Sequence, residues 1–161
     1  MEAAERAGAI SLRRGRRERR HLIERVSVVD PIALARHLGK APAGVASSRA
    51  RAALNPIVLG SDDWVVQLLD EIEGRWARGE AAYRLAPGDL DAAREFLALA
   101  VAIAKDQARG LDARTFSLRV TGDTKALDRH AGWLAGVLAV RFGEPSAKPE
   151  QIWARIGLAG C

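Results

Sequence analysis

The groups in this sequence best suited to chemistry are guanidiniums, and the chemistry they suit is holding phosphate. Arg13, Arg14, Arg16, Arg17, Arg19 and Arg20 crowd one short stretch, broken only by Gly15 and Glu18. If residues 16–25 are helical, their spacing puts Arg13, Arg16, Arg17 and Arg20 on roughly one face. Such a stripe can line a duplex backbone without reading its sequence. A solvated arginine-rich helix face, or a frayed start of the reading frame, is the alternative. Further along, Arg49 and Arg51 follow Ser47 and Ser48, types that contact phosphates or base edges. Lys125 stands in the turn Gly122-Asp123-Thr124-Lys125, at the start of a helix where the dipole alone prefers an acid. These eight residues, Arg13, Arg14, Arg16, Arg17, Arg20, Arg49, Arg51 and Lys125, form the candidate nucleic-acid-binding set.

Groups for bond-breaking chemistry are missing from the pattern. Asp89-Leu90-Asp91 has the DxD spacing used by metal nucleases, but it opens a helix, where capping is the expected role. His21, His37 and His130 stand singly, so no zinc site is expected. Cys161 is the one cysteine and cannot form an internal disulfide, which fits a reducing, cytoplasmic setting. No Ser-His-Asp grouping, phosphate-cradling glycine loop or dinucleotide fingerprint is present. We expect no catalytic residue, no metal and no cofactor.

The elements that must position the basic groups can be read from periodicity and caps. At 161 residues the chain can bury one real core, or two very small ones, and 48% hydrophobic residues exclude general disorder. No apolar run approaches the ~20 residues of a membrane span, and no apolar leader opens the chain. Residues 1–26 hold eight Arg against four Glu, while the remainder carries 17 basic against 16 acidic residues. The pI of 10.1 therefore reports mainly the basic start. We divide the chain into a basic segment, 1–29, and one mainly helical domain, 30–161.

Within that domain Asp30-Pro31 predicts a helix start, and Gly39 its end. A second helix is expected from about residue 42 or 43 to Leu54, ended by Asn55-Pro56. Ala35, Gly39 and Val45 have the spacing of a helix-turn-helix over 32–54. Lys40 and Ser48 occupy positions where that motif places apolar residues, and a plain helical hairpin fits better. Ser61-Asp62-Asp63 opens the clearest helix, with Trp64, Val65, Leu68, Leu69, Ile72 and Trp76 as its buried stripe and Gly79 as its end. Another follows the cap at Asp89 through Ala93, Leu97 and Ala100 towards Gly110. Pro149-Glu150 starts a short last helix through Ile152, Trp153 and Ile156.

The segment 114–141 reads as strand, turn and helix. From Thr115 to Thr121 the apolar residues Phe116, Leu118 and Val120 alternate with polar ones, the period of a half-buried strand. Gly122 breaks it, and Asp123 or Thr124 can cap the following helix, whose stripe is Leu127, Ala131, Leu134 and Leu138. The fold class expected is thus mainly α, with one or two short strands near 114–121.

The run Arg114-Thr-Phe-Ser-Leu-Arg followed by Gly-Asp-Thr-Lys-Ala-Leu-Asp-Arg-His resembles a segment of JetD-type proteins. These are the topoisomerase VI A-like nuclease subunits of Wadjet anti-plasmid defence systems, and the resemblance runs from about Asp112 to Leu138. In that family such a turn lies N-terminal to a Toprim nuclease domain, whose glutamate and DxD aspartates bind the catalytic metal. The resemblance implies a truncated product, an isolated N-terminal module or half of a split protein, with the Toprim domain absent. No catalytic residue carries over. The expected function is a non-catalytic DNA-binding or assembly module of a Wadjet-like complex, cytoplasmic, partnered by DNA backbone and other subunits of the complex. A small helix-turn-helix regulator or protein–protein interaction domain is the alternative.

Overall fold

The computed structural model describes residues 6, 8, 10–14, 23–28 and 43–160. The chain divides into two compact units, Met1–Ala46 and Ser47–Cys161. In the first, β1 (Ile10–Arg14) pairs antiparallel with β2 (Ile23–Val28). The register sets Ile10 against Val28, Leu12 against Val26 and Arg13 against Arg25, with an irregularity between Arg13 and Arg14. Arg13 and Arg14 lie in an extended strand, as do residues 23–25 of the stretch 16–25 expected to be helical. Extended backbone reverses side-chain direction at every residue, so helical spacing arguments lapse there. Residues 16–22 lie outside the described residues, as do 31–42, which hold the first helix and turn of the expected helix-turn-helix. That motif is accordingly not shown.

The second unit is helical and mainly α, as expected. Six helices occur among the described residues: α1 (Ala43–Val58), α2 (Asp63–Ala77), α3 (Leu90–Ala104), α4 (Ala113–Thr121), α5 (Ala126–Arg141) and α6 (Pro149–Arg155). The first begins within the preceding unit and continues into this one. No helix among the described residues is long and apolar enough to cross a membrane. The most apolar helix, α3, packs against α2, α4 and α5, while α6 closes on α5. Phe96, Leu97, Leu99 and Ala100 of α3 are fully buried, and each large side chain so buried contributes about 1.5–3 kcal/mol. Its start behaves as read: the Asp89 carboxylate accepts the Ala92 amide at 3.2 Å, and Asp91 pairs with Arg94. All six residues of the expected α2 stripe are buried. Trp76 completes it by donating its indole N–H to the Leu85 carbonyl at 3.0 Å.

One boundary and one burial differ from expectation. The helix α1 does not stop at Asn55-Pro56 but runs to Val58 with Pro56 inside it. Leu54 and Val58 are both buried, and that burial outweighs the one amide donor the proline lacks near the helix end. At its other end Val45 is 43% exposed, where a helix-turn-helix would bury it.

The expected strand at 114–121 is the helix α4. The Asp112 carboxylate accepts the Thr115 amide at 2.9 Å and its hydroxyl at 2.6 Å, a full N-terminal cap. Gly122, at φ 80°, ends the helix in the left-handed conformation. Phe116 and Ser117 are fully buried and Val120 is half-buried, whereas Leu118 is 51% exposed. That spacing is helical. A helix satisfies its backbone within itself; a strand here would have needed a neighbour for its ladder.

Candidate nucleic-acid interface

The corner between α4 and α5 is held by a polar network built from three elements. Asp123 accepts the Lys125 amide at 2.9 Å through Oδ1 and the Arg129 guanidinium at 2.7 Å through Oδ2. The Thr121 hydroxyl donates to the Ser117 carbonyl at 2.8 Å and accepts the Asp123 amide at 3.2 Å. Beneath them, the buried Ser117 Oγ accepts the Leu127 amide at 2.6 Å, satisfying a first-turn donor of α5. The N-cap of α5 is Lys125 rather than the expected Asp123 or Thr124, and Asp123 instead braces the turn by accepting the Lys125 amide.

Arg129 also reaches α3. Its Nε and Nη2 grip Glu95 at 3.1 and 2.8 Å, and Glu95 Oε1 lies 2.9 Å from Nε2 of the buried His130. Burial of Glu95 raises its pKa, but the bonds from Arg129 and His130 outweigh this and hold it below the usual carboxylate value. The Lys125 amide and Arg129 likewise hold Asp123 low. Arg129 is raised above its ordinary value by Glu95 and Asp123. Sequence reasoning missed Glu95, Ser117 and Arg129, because their partners stand 34, 10 and 6 residues away or more. What this network can do is orient and stabilise; among the described residues no group of His, Cys, Asp and Glu could hold a metal ion.

The candidate basic residues separate into distinct situations. Lys125 is exposed at the corner, and its ammonium forms no ion pair among the described residues. Arg49 is exposed on α1. Arg51, two positions on, is committed internally: its Nη1 lies 2.5 Å from Asp70 and 2.7 Å from Glu73 on α2. The Ser47 hydroxyl next to it donates to the Glu73 carbonyl at 3.1 Å. Arg13 and Arg14 lie on β1, while Arg16, Arg17 and Arg20 fall outside the described residues. Of the eight, only Arg49, Arg51 and Lys125 have described side chains, and of these Arg51 is committed to ion pairs.

A family model described as "Uncharacterized protein conserved in bacteria N-term (DUF3322)" matches residues 3–139. The chain belongs to this family. The DUF3322 match begins before β1 and ends two residues short of the end of α5, so it takes in both strands and the whole Glu95–Asp123–Arg129 corner. No curated protein and no solved structure matches the chain.

Charge divides along the same line as the two units of this DUF3322 chain. Residues 1–46 carry ten Lys and Arg against five Asp and Glu, whereas residues 47–161 carry fifteen against fifteen. The whole net charge of +5 belongs to the unit that holds the hairpin.

Proposed function

We propose that the chain is a non-catalytic DNA-binding and assembly module, the counterpart of the N-terminal part of a Wadjet-type, JetD-like nuclease subunit. The observation that carries this reading is the separation of charge: the helical unit is electrically neutral, and all the excess cation lies in residues 1–46. A neutral scaffold bearing a basic appendage suits phosphate-backbone attachment, which is electrostatic and indifferent to sequence. The family match to a bacterial N-terminal domain agrees with a module that works beside other domains. The Arg114–His130 resemblance supplies the finer family reading, and DNA and the other subunits of a defence complex are the partners it proposes.

The test is duplex affinity as a function of salt. For the intact chain, log affinity should fall linearly with log salt by about 0.9 per phosphate neutralised, without preference for a defined site. Deleting residues 1–20 should flatten that slope. If affinity and slope survive the deletion, the basic appendage is not the contact; if one site is strongly preferred, a regulator is the better reading.

A further inference from the structure

A groove of about 650 Å3 lies between α2 and α5 and is walled by Trp64, Tyr83 and Trp133. We propose that it binds an unpaired nucleobase together with its phosphate; this rests on the DNA reading above and adds a second, base-stacking site to it.

Two of the walls, Tyr83 and Trp133, supply π surfaces in contact with one another. Tyr83 stacks on Phe96 with ring centroids 5.1 Å apart and meets Trp133 edge-on at 6.3 Å. Trp133 is nevertheless 48% exposed, an unusual state for the largest apolar side chain in a helix of this core. Aromatic faces half open to water are what single-stranded nucleic-acid sites offer to bases. The polar groups of the groove suit the rest of a nucleotide. Gln67 offers an amide for a base edge. Arg141 lies 5.4 Å above the Trp64 ring, exposed and without an ion pair among the described residues, free to take a phosphate. Glu71 also lines the groove, but Arg75 neutralises it at 2.6 Å.

Two backbone features keep the groove in this form. Tyr83 and Arg84 both have positive φ, 51° and 61°, in the two-residue turn that joins Ala82 to Leu85. Such turns are normally made by Asn and Gly, so two side chains are held there against their backbone preference. One of them is the groove's central aromatic; the other, Arg84, is an exposed cation with no ion pair among the described residues. Gly136 lies on the groove side of α5, and a Cβ built there would meet nothing within 4 Å. The fold itself does not need glycine at that point, and glycine is the poorest helix-interior choice after proline. What its absence of a side chain provides is floor space in the groove.

Intrinsic tryptophan fluorescence of the intact chain tests this directly. Trp64, Trp76 and Trp153 are all buried, so a change on titration reports chiefly Trp133. The probes are oligo(dT), thymidine monophosphate and a blunt duplex, at low salt. Oligo(dT) should quench the signal and the duplex should not. Loss of one stacked base in Trp133→Ala should weaken oligo(dT) binding roughly ten- to a hundredfold. Gly136→Leu, which fills the groove while leaving the helix intact by circular dichroism, should do the same. Equal affinity for the monophosphate would identify a free nucleotide as the ligand, and tight binding of the oligomer alone would identify a DNA strand. Absence of quenching, or unchanged affinity in Gly136→Leu, overturns the proposal. If those results accompany salt-dependent duplex binding lost on deletion of residues 1–20, only the groove is refuted. If no DNA of any form binds, both readings fall together.

Discussion

Arg129 holds Glu95 by both carboxylate oxygens, at 3.1 and 2.8 Å, and so ties α5 to α3 at the point where the chain turns out of α4. The same guanidinium reaches Asp123, so one side chain fixes the corner from within and from behind. Glu95→Gln should remove the charge from the centre of this arrangement and leave the Arg129 and His130 bonds weakened. A loss of about 1–2 kcal/mol is expected, discounted for the partial exposure of Arg129, and read as a lower denaturation midpoint at unchanged m.

The pH dependence has a definite sign. Glu95 and Asp123 are both held below their ordinary values in the folded chain. Their contribution is complete above the unfolded carboxylate range and is lost as pH falls through the lower, folded values. Stability should therefore be level from neutral pH down to about 5 and then decline. In Glu95→Gln that acid decline should be shallower. Denaturant midpoints measured from pH 7 to pH 3 decide it, and an equally steep decline would mean that Glu95 does not contribute.

Ser117→Ala should be costly for so small a change. The hydroxyl is fully buried, and without it the Leu127 amide has no acceptor at its place beneath the corner. Leaving a buried donor unpaired costs about 1–3 kcal/mol. Thermal unfolding of the purified variant gives the answer, and a shift within error of zero would show that the helix start relaxes to water.

Gly157 is the position where glycine is needed for both space and conformation. Its φ is 87°, and an added Cβ would come within 3.0–3.2 Å of Arg109, including backbone. The carbonyl of Gly157 also accepts the Gly110 amide at 2.8 Å, and the Ala159 amide returns to Leu111. Gly157→Ala should destabilise by roughly 1–3 kcal/mol through left-handed strain and the displaced contact. An adjacent control, Gly160→Ala, has the strain but not the contact and should cost less.

Lys125 and Arg51 should part company in DNA binding. Lys125→Ala removes one free cation and should lower the salt slope by about 1 if it touches a phosphate. Arg51→Ala should leave the slope alone and slightly lower stability, since its guanidinium already serves Asp70 and Glu73. A slope change with Arg51 instead would place the contact on α1.

Much of the helical unit was legible because several local signals agreed. The α2 stripe from Trp64 to Trp76 and the cap at Asp89 each combine a period with an end signal, and tertiary packing had no reason to overrule them. The segment 115–121 was misread because Phe116 and Val120 satisfy both a strand and a helix pattern. The deciding pair is Ser117, buried, and Leu118, exposed, the reverse of what hydropathy suggests. Ser117 is inside because the Leu127 amide needs an acceptor there, a requirement visible only after the chain has folded back. Glu95 was out of reach for the same reason, 34 residues from the arginine that defines it. Pro56 shows the opposite failure: a strong local stop signal overridden by the burial of Val58 just beyond it.

The turn at Tyr83-Arg84 has a consequence for engineering. Since Asn-Gly meets its backbone demands without strain, Tyr83→Asn with Arg84→Gly should relieve the backbone while stripping the groove of its central ring. The chain keeps the residue pair its backbone resists. A search for thermostable variants would discard this turn early, and would thereby erase the aromatic wall before any binding assay could register its loss.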